Sequence, residues 1–207
     1  MTALAFSALQ QAMSDENTGS QAVFSKADLA FLDRSIVLVG LMGAGKTSIG
    51  KRLARQLHLP FVDADAEIAK AAGLPIPDIF RLYGEPAFRD GERRVIDRLL
   101  QEGRKVLATG GGAFMDPDTR AAIRQRGISI WLRADLDVLV RRIGRRDDRP
   151  LLADGNPRDI LDALIKQRYP VYAEADLVVD TGDESAETTV DKVIDILRTY
   201  LDKPETP

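Results

Sequence analysis

The chain reads as an α/β domain: a parallel sheet of five strands with helices on both faces. Three observations predict it. Short apolar runs break off at Gly, Pro or Asp, other stretches carry apolar residues every three to four positions, and the two kinds alternate along the chain. An apolar run too short for a helix is a strand covered on both faces, and strands joined through helices pair in parallel.

Residues 1 to about 25 carry Ser, Gln, Thr, Asn, Asp and Glu but no Lys or Arg. They read as a flexible lead-in, with residues 22–32 as a short helix ahead of the core. Ser35-Ile36-Val37-Leu38-Val39 is the first strand, stopped by Gly40. Ile49, Leu53 and Leu57, four apart, mark a helix that begins near Lys46. Residues 60–62 give the second strand and 65–72 a helix stopped at Gly73. Two helices follow, 77–83 and 86–101, the second with Val95, Ile96, Leu99 and Leu100 on its apolar stripe. The third strand, 105–109, runs into Gly110-Gly111-Gly112. Then come a helix at 118–125, a strand at 128–132 and a helix at 135–143. After an arginine-rich stretch, residues 157–175 read as a helix kinked at Pro170, 177–179 as the fifth strand and 187–201 as a closing amphipathic helix. With no internal repeat and no long linker, residues 34–203 form one domain, preceded by an extension (1–33) and followed by a short tail (204–207).

Composition narrows the chemistry. The 207 residues hold 29 Lys+Arg against 32 Asp+Glu, a formal charge of −3, which argues against a general attraction to nucleic acid. Aromatics number 7 Phe, 4 Tyr and 1 Trp, too few for a stacking platform for sugars or single strands. The absence of cysteine excludes disulfides, thiolate metal sites and a cysteine nucleophile. His58 is the only histidine and falls at the expected end of the first helix, where capping or packing suits it better than catalysis. Multi-histidine metal sites are thereby excluded. No apolar run approaches the roughly 18–20 residues of a membrane span. The N-terminal stretch lacks the basic residues and apolar length of a secretory signal, so a cytoplasmic location is expected. Carboxylates, Lys, Arg, hydroxyls, backbone amides and a borrowed metal ion must do the work.

Gly40-Leu41-Met42-Gly43-Ala44-Gly45-Lys46-Thr47 matches G-x-x-x-x-G-K-[ST] in full, after an apolar strand and before a helix. Its glycines let backbone N–H groups turn toward phosphate oxygens, and the helix N-terminus adds partial positive charge. Gly43, Ala44, Gly45, Lys46, Thr47 and Ser48 are the candidate contacts to a nucleotide's phosphates, with Lys46 on the terminal phosphates and the Thr47 hydroxyl on Mg²⁺. The loop alone does not choose among GTPases, ATPases and small-molecule kinases. A guanine-reading Asn-Lys-x-Asp tetrad is absent, as is the long apolar strand ending in a single Asp common in ATPases.

Asp63 and Asp65 leave the carboxyl end of the second strand, the edge at which doubly wound sheets bind ligands. One can hold Mg²⁺ through its water shell and the other can orient an acceptor hydroxyl or take its proton; one of them also suits the cap of the following helix. Gly110-Gly111-Gly112 allows a ligand to approach backbone amides, or simply a tight turn. Arg89 and Arg168 are the arginines suited to a bidentate carboxylate contact, although isolated helix arginines are commonly solvated.

Taken in order, GLMGAGKTSIGK, FVDADAEI, GEPAFRDGE, ATGGG, RPLL and RYPVY resemble the shikimate kinases, over residues from about 34 to 200. The resemblance implies a P-loop fold of the nucleoside-monophosphate-kinase type with a mobile lid at about 144–156. It implies transfer of the γ-phosphoryl group of MgATP to the 3-hydroxyl of shikimate, on the route to chorismate and the aromatic amino acids. By the same resemblance Lys46 and Thr47 are phosphate and magnesium ligands, and Asp63 holds magnesium through water. Asp65 binds the ring hydroxyls and is the candidate base. Arg89 and Arg168 clamp the shikimate carboxylate, and Gly111 and Gly112 touch the substrate.

Residues 141–150, RRIGRRDDRP, carry five Arg and two Asp and interrupt the alternating pattern. In the family the segment is the lid over ATP; Arg149 matches its phosphate-contacting arginine and Arg142 the arginine that stacks on adenine, with Arg145 and Arg146 competing for that role. Lid closure excludes water from the transfer. Val179-Asp180-Thr181 resembles the other adenine-side loop. The expected catalytic group is Lys46, Asp65 and Arg149, and the expected assembly a monomer acting on ATP and shikimate, with neither nucleic acid nor membrane as partner. Two other readings stay open at this point: a gluconate kinase, since gluconate is also a polyhydroxy acid, and a nucleotide-binding regulator without transfer activity.

Overall fold

The computed structural model describes residues 32–144 and 156–202. The expected helix at 22–32 (all but its last residue), the lid residues Arg145, Arg146 and Arg149, and the tail lie outside the described residues.

Five parallel strands form one sheet in the order β2-β3-β1-β4-β5, where β1 is Ser35–Val39, β2 Phe61–Asp63, β3 Val106–Ala108, β4 Gly127–Ala134 and β5 Leu177–Thr181. Successive side chains of a strand point to opposite faces, and all five of β1 are buried, so both faces of the sheet centre are covered. The central register sets Ile36 between Val106 and Ile128. Those apolar residues fill the core with Leu53 and Ile49 of α1 (Lys46–Gln56).

The remaining helices are α2 (Ala64–Ala72), α3 (Ile76–Gln101), α4 (Pro117–Arg126), α5 (Leu136–Ile143), α6 (Pro157–Tyr172) and α7 (Ala186–Leu201). Their starts are written locally: Asp63, Asp116, Asn156 and Ser185 each accept a backbone N–H of the first turn through the side chain. Helix α2 ends on Gly73 at φ 65°, as its sequence predicts. The two expected helices at 77–83 and 86–101 are the two halves of α3, separated at Gly84 with φ 77° and ψ 170°, a conformation only glycine adopts readily. Ile68, Ile79 and Phe88 close a small second apolar cluster on the α2 side of that break, with the Phe80 and Phe88 rings 4.4 Å apart.

Four features differ from the sequence reading, the first being that β5 runs on to Thr181, so Val179-Asp180-Thr181 is strand and not the expected loop. A 3₁₀ turn at Ala113–Met115 follows the triple glycine. Helix α6 stops at Tyr172, two residues beyond Pro170 and short of 175. His58 is an exposed residue at φ 51° whose backbone N–H closes the end of α1 on Arg55, so its side chain neither caps nor packs. No described helix is long and apolar enough to cross a membrane.

Candidate active site

The phosphate loop bends through Gly40, Gly43 and Gly45, the last at φ 97° as the N-cap of α1. Unlike the four capped helices, α1 has no side chain on its first N–H groups, so these remain directed at the loop and at any anion there. Lys46 Nζ donates to the carbonyls of Gly40 (2.7 Å) and Leu41 (3.0 Å), which hold the ammonium at the loop. Ser48 lies two residues further into the helix, where its hydroxyl accepts from Arg52 at 2.9 Å.

Asp63 caps the helix and also reaches the phosphate loop. Its Oδ1 accepts the Asp65 N–H at 3.1 Å and caps α2, while its Oδ2 accepts the Thr47 hydroxyl at 3.0 Å. The cap turns the carboxylate toward the phosphate loop. A hydroxyl and a carboxylate so joined suit a hard divalent cation that keeps most of its waters and takes other oxygens from phosphates. Among the described residues no group of three or more His, Cys, Asp and Glu gathers around a metal-sized space.

A cavity of about 380 Å³ opens between this loop and the carboxyl ends of β2 and β3. Lys46, Thr47, Asp63, Asp65, Arg89, Gly111, Gly112 and Arg168 all line it. Four side chains come up against the triple glycine. A Cβ on Gly110 would stand 2.7 Å from Asp65 Oδ1 and 2.8 Å from Glu92 Oε1; one on Gly111 would stand 3.4 Å from Arg168 Nη1; one on Gly112 would lie 2.6 Å from Arg89 Cζ. Gly110 and Gly112 therefore serve close approach as well as the turn that follows, while Gly111 would meet Arg168 only at ordinary contact distance.

Arg89 is held from two sides. Its Nη1 meets Glu92 Oε2 at 2.6 Å and its Nη2 meets Glu85 Oε1 at 3.0 Å. Burial pushes the Glu92 carboxyl above its ordinary range, Arg89 pulls it partly back, and Asp65 and Asp116 add to the rise. For Arg89 burial works to lower the pKa, and the two glutamates outweigh it. Arg168 donates from Nη1 to the Gly111 carbonyl at 2.9 Å. The same carbonyl accepts the hydroxyl of buried Tyr172.

Arg142 reaches the far side of the phosphate loop. Its guanidinium donates to the carbonyls of Gly43 (3.3 Å) and Ala44 (3.4 Å), to Thr181 Oγ1 (3.4 Å) and to the Gly182 carbonyl. It thus ties the loop to the end of β5, the region of the expected adenine-side loop. Arg149 lies outside the described residues.

The structure brings together every described candidate except Ala44, Gly45, Ser48 and Arg142 around one cavity. Sequence reasoning missed Glu92, Tyr172 and Thr109. Glu92 sits three residues beyond Arg89, a spacing that signals a pair but resembles any surface i,i+3 pair. Thr109, buried at the end of β3, locks the cavity floor by donating from Oγ1 to Leu38 O at 3.0 Å.

A family model described as shikimate kinase matches residues 42–198. The chain is 55% identical over 174 residues to a shikimate kinase of Novosphingobium aromaticivorans, covering 82% of this chain and 90% of that protein. It is 56% identical over 175 residues to one of Paramagnetospirillum magneticum, covering 84% and 90%. The solved structure of a shikimate kinase from Acinetobacter baumannii in complex with shikimate superposes with a TM-score of 0.80 at 36% identity, over 84% of this chain and 99% of that one. A gluconokinase from Sinorhizobium meliloti superposes with a TM-score of 0.56 at 19% identity, over 83% and 95%, a likeness of fold alone.

Proposed function

The chain belongs to the shikimate kinase family and is an ATP-dependent small-molecule kinase, and we propose the residue assignment by which it moves the γ-phosphoryl group of MgATP to the 3-hydroxyl of shikimate. The products are ADP and shikimate 3-phosphate, on the route to chorismate and the aromatic amino acids. One observation supports the assignment above the others: a complete phosphate loop and a pair of arginines face one cavity of about 380 Å³.

The loop N–H groups of Gly43, Ala44, Gly45 and Ser48 bind phosphate oxygens, and Lys46 bridges the terminal ones as a point charge. The family's magnesium, carried by Thr47 directly and by Asp63 through water, would neutralise charge on the phosphoryl oxygens; the 3.0 Å Thr47–Asp63 contact supports this donor set. Arg89 and Arg168 bind the acceptor carboxylate, with Gly111 and Gly112 close to the ring. Asp65 accepts a hydrogen bond from the attacking hydroxyl, aligns it and receives its proton. Arg149 comes from the lid to the transferring group and Arg142 contacts the adenine end. Positioning and electrostatics thereby supply the catalysis, as phosphoryl transfer requires.

In this reading residues 34–203 are the kinase domain with the lid at about 144–156, residues 1–33 an extension and 204–207 a tail. It acts as a cytoplasmic monomer; among the described residues only Leu82 and Tyr83 are large, apolar and exposed, which supports a chain without an apolar partner.

A coupled ADP-release assay with shikimate, with gluconate and with no acceptor tests the assignment. Turnover is expected with shikimate alone. Equal turnover with gluconate, or ADP release independent of any acceptor, refutes it.

A further inference from the structure

The motif Arg168-Tyr169-Pro170-Val171-Tyr172 contains two tyrosines that the transfer reaction leaves unassigned. Residues four apart on a helix share a face, so Arg168 and Tyr172 project from α6 on the same side. Both end on one atom: the Gly111 carbonyl accepts Arg168 Nη1 at 2.9 Å and the Tyr172 hydroxyl as well. Tyr172 is 0% exposed, and its ring lies within an aromatic wall, 5.9 Å from Trp131, 6.2 Å from Tyr169 and 6.4 Å from Phe114. A fully buried ring has one rotamer available, so its hydroxyl is a fixed point. Burial also pushes its pKa up to about 12, so the hydroxyl keeps the proton it donates.

Gly111 by contrast belongs to a glycine run without side chains of its own to anchor it. Its neighbour Gly112 must keep within van der Waals reach of the Arg89 guanidinium without a Cβ. A shift of the Gly111 carbonyl therefore moves the Arg168 guanidinium, while Arg89 stays held by Glu85 and Glu92, and the spacing between the two arginines changes.

We infer that Tyr172 is a positioning residue for the acceptor site: its hydroxyl fixes the Gly111 carbonyl, and through it the guanidinium of Arg168 and the spacing to Arg89. The inference rests on the assignment of Arg168 as a carboxylate ligand. Tyr172 does not line the cavity, and the phosphate loop is held by Lys46 and Arg142, so its effect is expected at the acceptor.

Tyr172→Phe removes the hydroxyl and keeps the ring. The KM for shikimate is expected to rise about five- to tenfold, with kcat and the KM for ATP within about twofold. Tyr169→Phe, on the same helix, removes a hydroxyl bonded to Ala134 O instead and is expected to leave the shikimate KM unchanged. In an Arg168→Ala background the Tyr172→Phe effect is expected to vanish, because the group it positions is gone. An unchanged shikimate KM in Tyr172→Phe overturns the inference, as does a parallel change in both KM values or a full effect persisting without Arg168. Arg168→Ala by itself separates the two levels. If it leaves the shikimate KM unchanged, the clamp assignment fails; if it raises KM while Tyr172→Phe does not, only the role of Tyr172 fails. Should Tyr172→Phe not fold, the same link is read in the wild-type chain. Trp131, the only tryptophan, packs on Tyr172, so shikimate without nucleotide is expected to change its emission, and an unchanged spectrum at saturation overturns the inference.

Discussion

Arg89 and Glu92 form an ion pair one turn apart on α3, Nη1 to Oε2 at 2.6 Å, in which the Glu92 side chain is only 3% exposed. A carboxylate buried beside the cavity is costly unless a cation stays with it, so the pair holds Arg89 in the cavity wall. Glu92→Gln keeps the shape and removes the charge, and the KM for shikimate is expected to rise about tenfold. Steady-state kinetics with varied shikimate checks this.

The same glutamate gives a pH dependence of stability. Its folded pKa is raised, chiefly by burial. A carboxyl shifted upward contributes stability that is fully present below its unfolded pKa and lost as pH rises through the folded one. Wild type is therefore expected to lose stability relative to Glu92→Gln as pH rises from about 4 toward neutrality. Paired urea denaturation curves across that window measure the difference, and a constant or growing advantage for wild type contradicts it.

Gly112→Ala directs a methyl group into the Arg89 guanidinium, where 2.6 Å separates the would-be Cβ from Cζ. The arginine must leave its place between Glu85 and Glu92. A loss on the order of 10- to 100-fold in kcat/KM for shikimate is expected, with the KM for ATP unchanged.

Lys46→Met removes the ammonium from the phosphate loop while keeping an unbranched side chain one atom shorter. The kcat is expected to fall at least about 100-fold, because a charge aimed at the transferring group is lost. Shikimate binding by calorimetric titration is expected to stay as in wild type; turnover close to wild type removes Lys46 from the mechanism.

Arg142→Ala cuts the tie between the phosphate loop and the end of β5. The KM for ATP is expected to increase about fivefold while that for shikimate stays within about twofold. Deleting residues 1–25 is expected to preserve both activity and melting temperature, and loss of either gives the extension a role in the kinase domain.

The legible parts of this molecule are those whose causes are local. The turn at Gly40–Thr47 was readable because left-handed backbone and unobstructed N–H groups demand glycine where the chain has it. The five strands and their intervening helices were readable because burial on two faces or one imposes its own period. The break in α3 fell at Gly84, between the two helices that Gly84 and Pro86 suggested. Glu92 and Tyr172 were not readable. Each looks in sequence like an ordinary helix residue, and each acquires its role only when Gly110 and Gly111, at the end of β3, arrive against it.

By itself the sequence determined the α/β alternation, the phosphate loop, and the residue types available for chemistry, since a chain with no cysteine and one histidine leaves lysine, arginine and aspartate to act. Tertiary structure decided which of those residues meet. The order β2-β3-β1-β4-β5 places β3 between the strand that carries Asp63 and the strand that carries the phosphate loop, and so sets the triple glycine between Asp65 and that loop. Pairing between strands distant in sequence depends on how the whole core packs. No local pattern contains that information, and the meeting of Arg89, Glu92, Arg168 and Tyr172 around Gly110-Gly111-Gly112 follows from it.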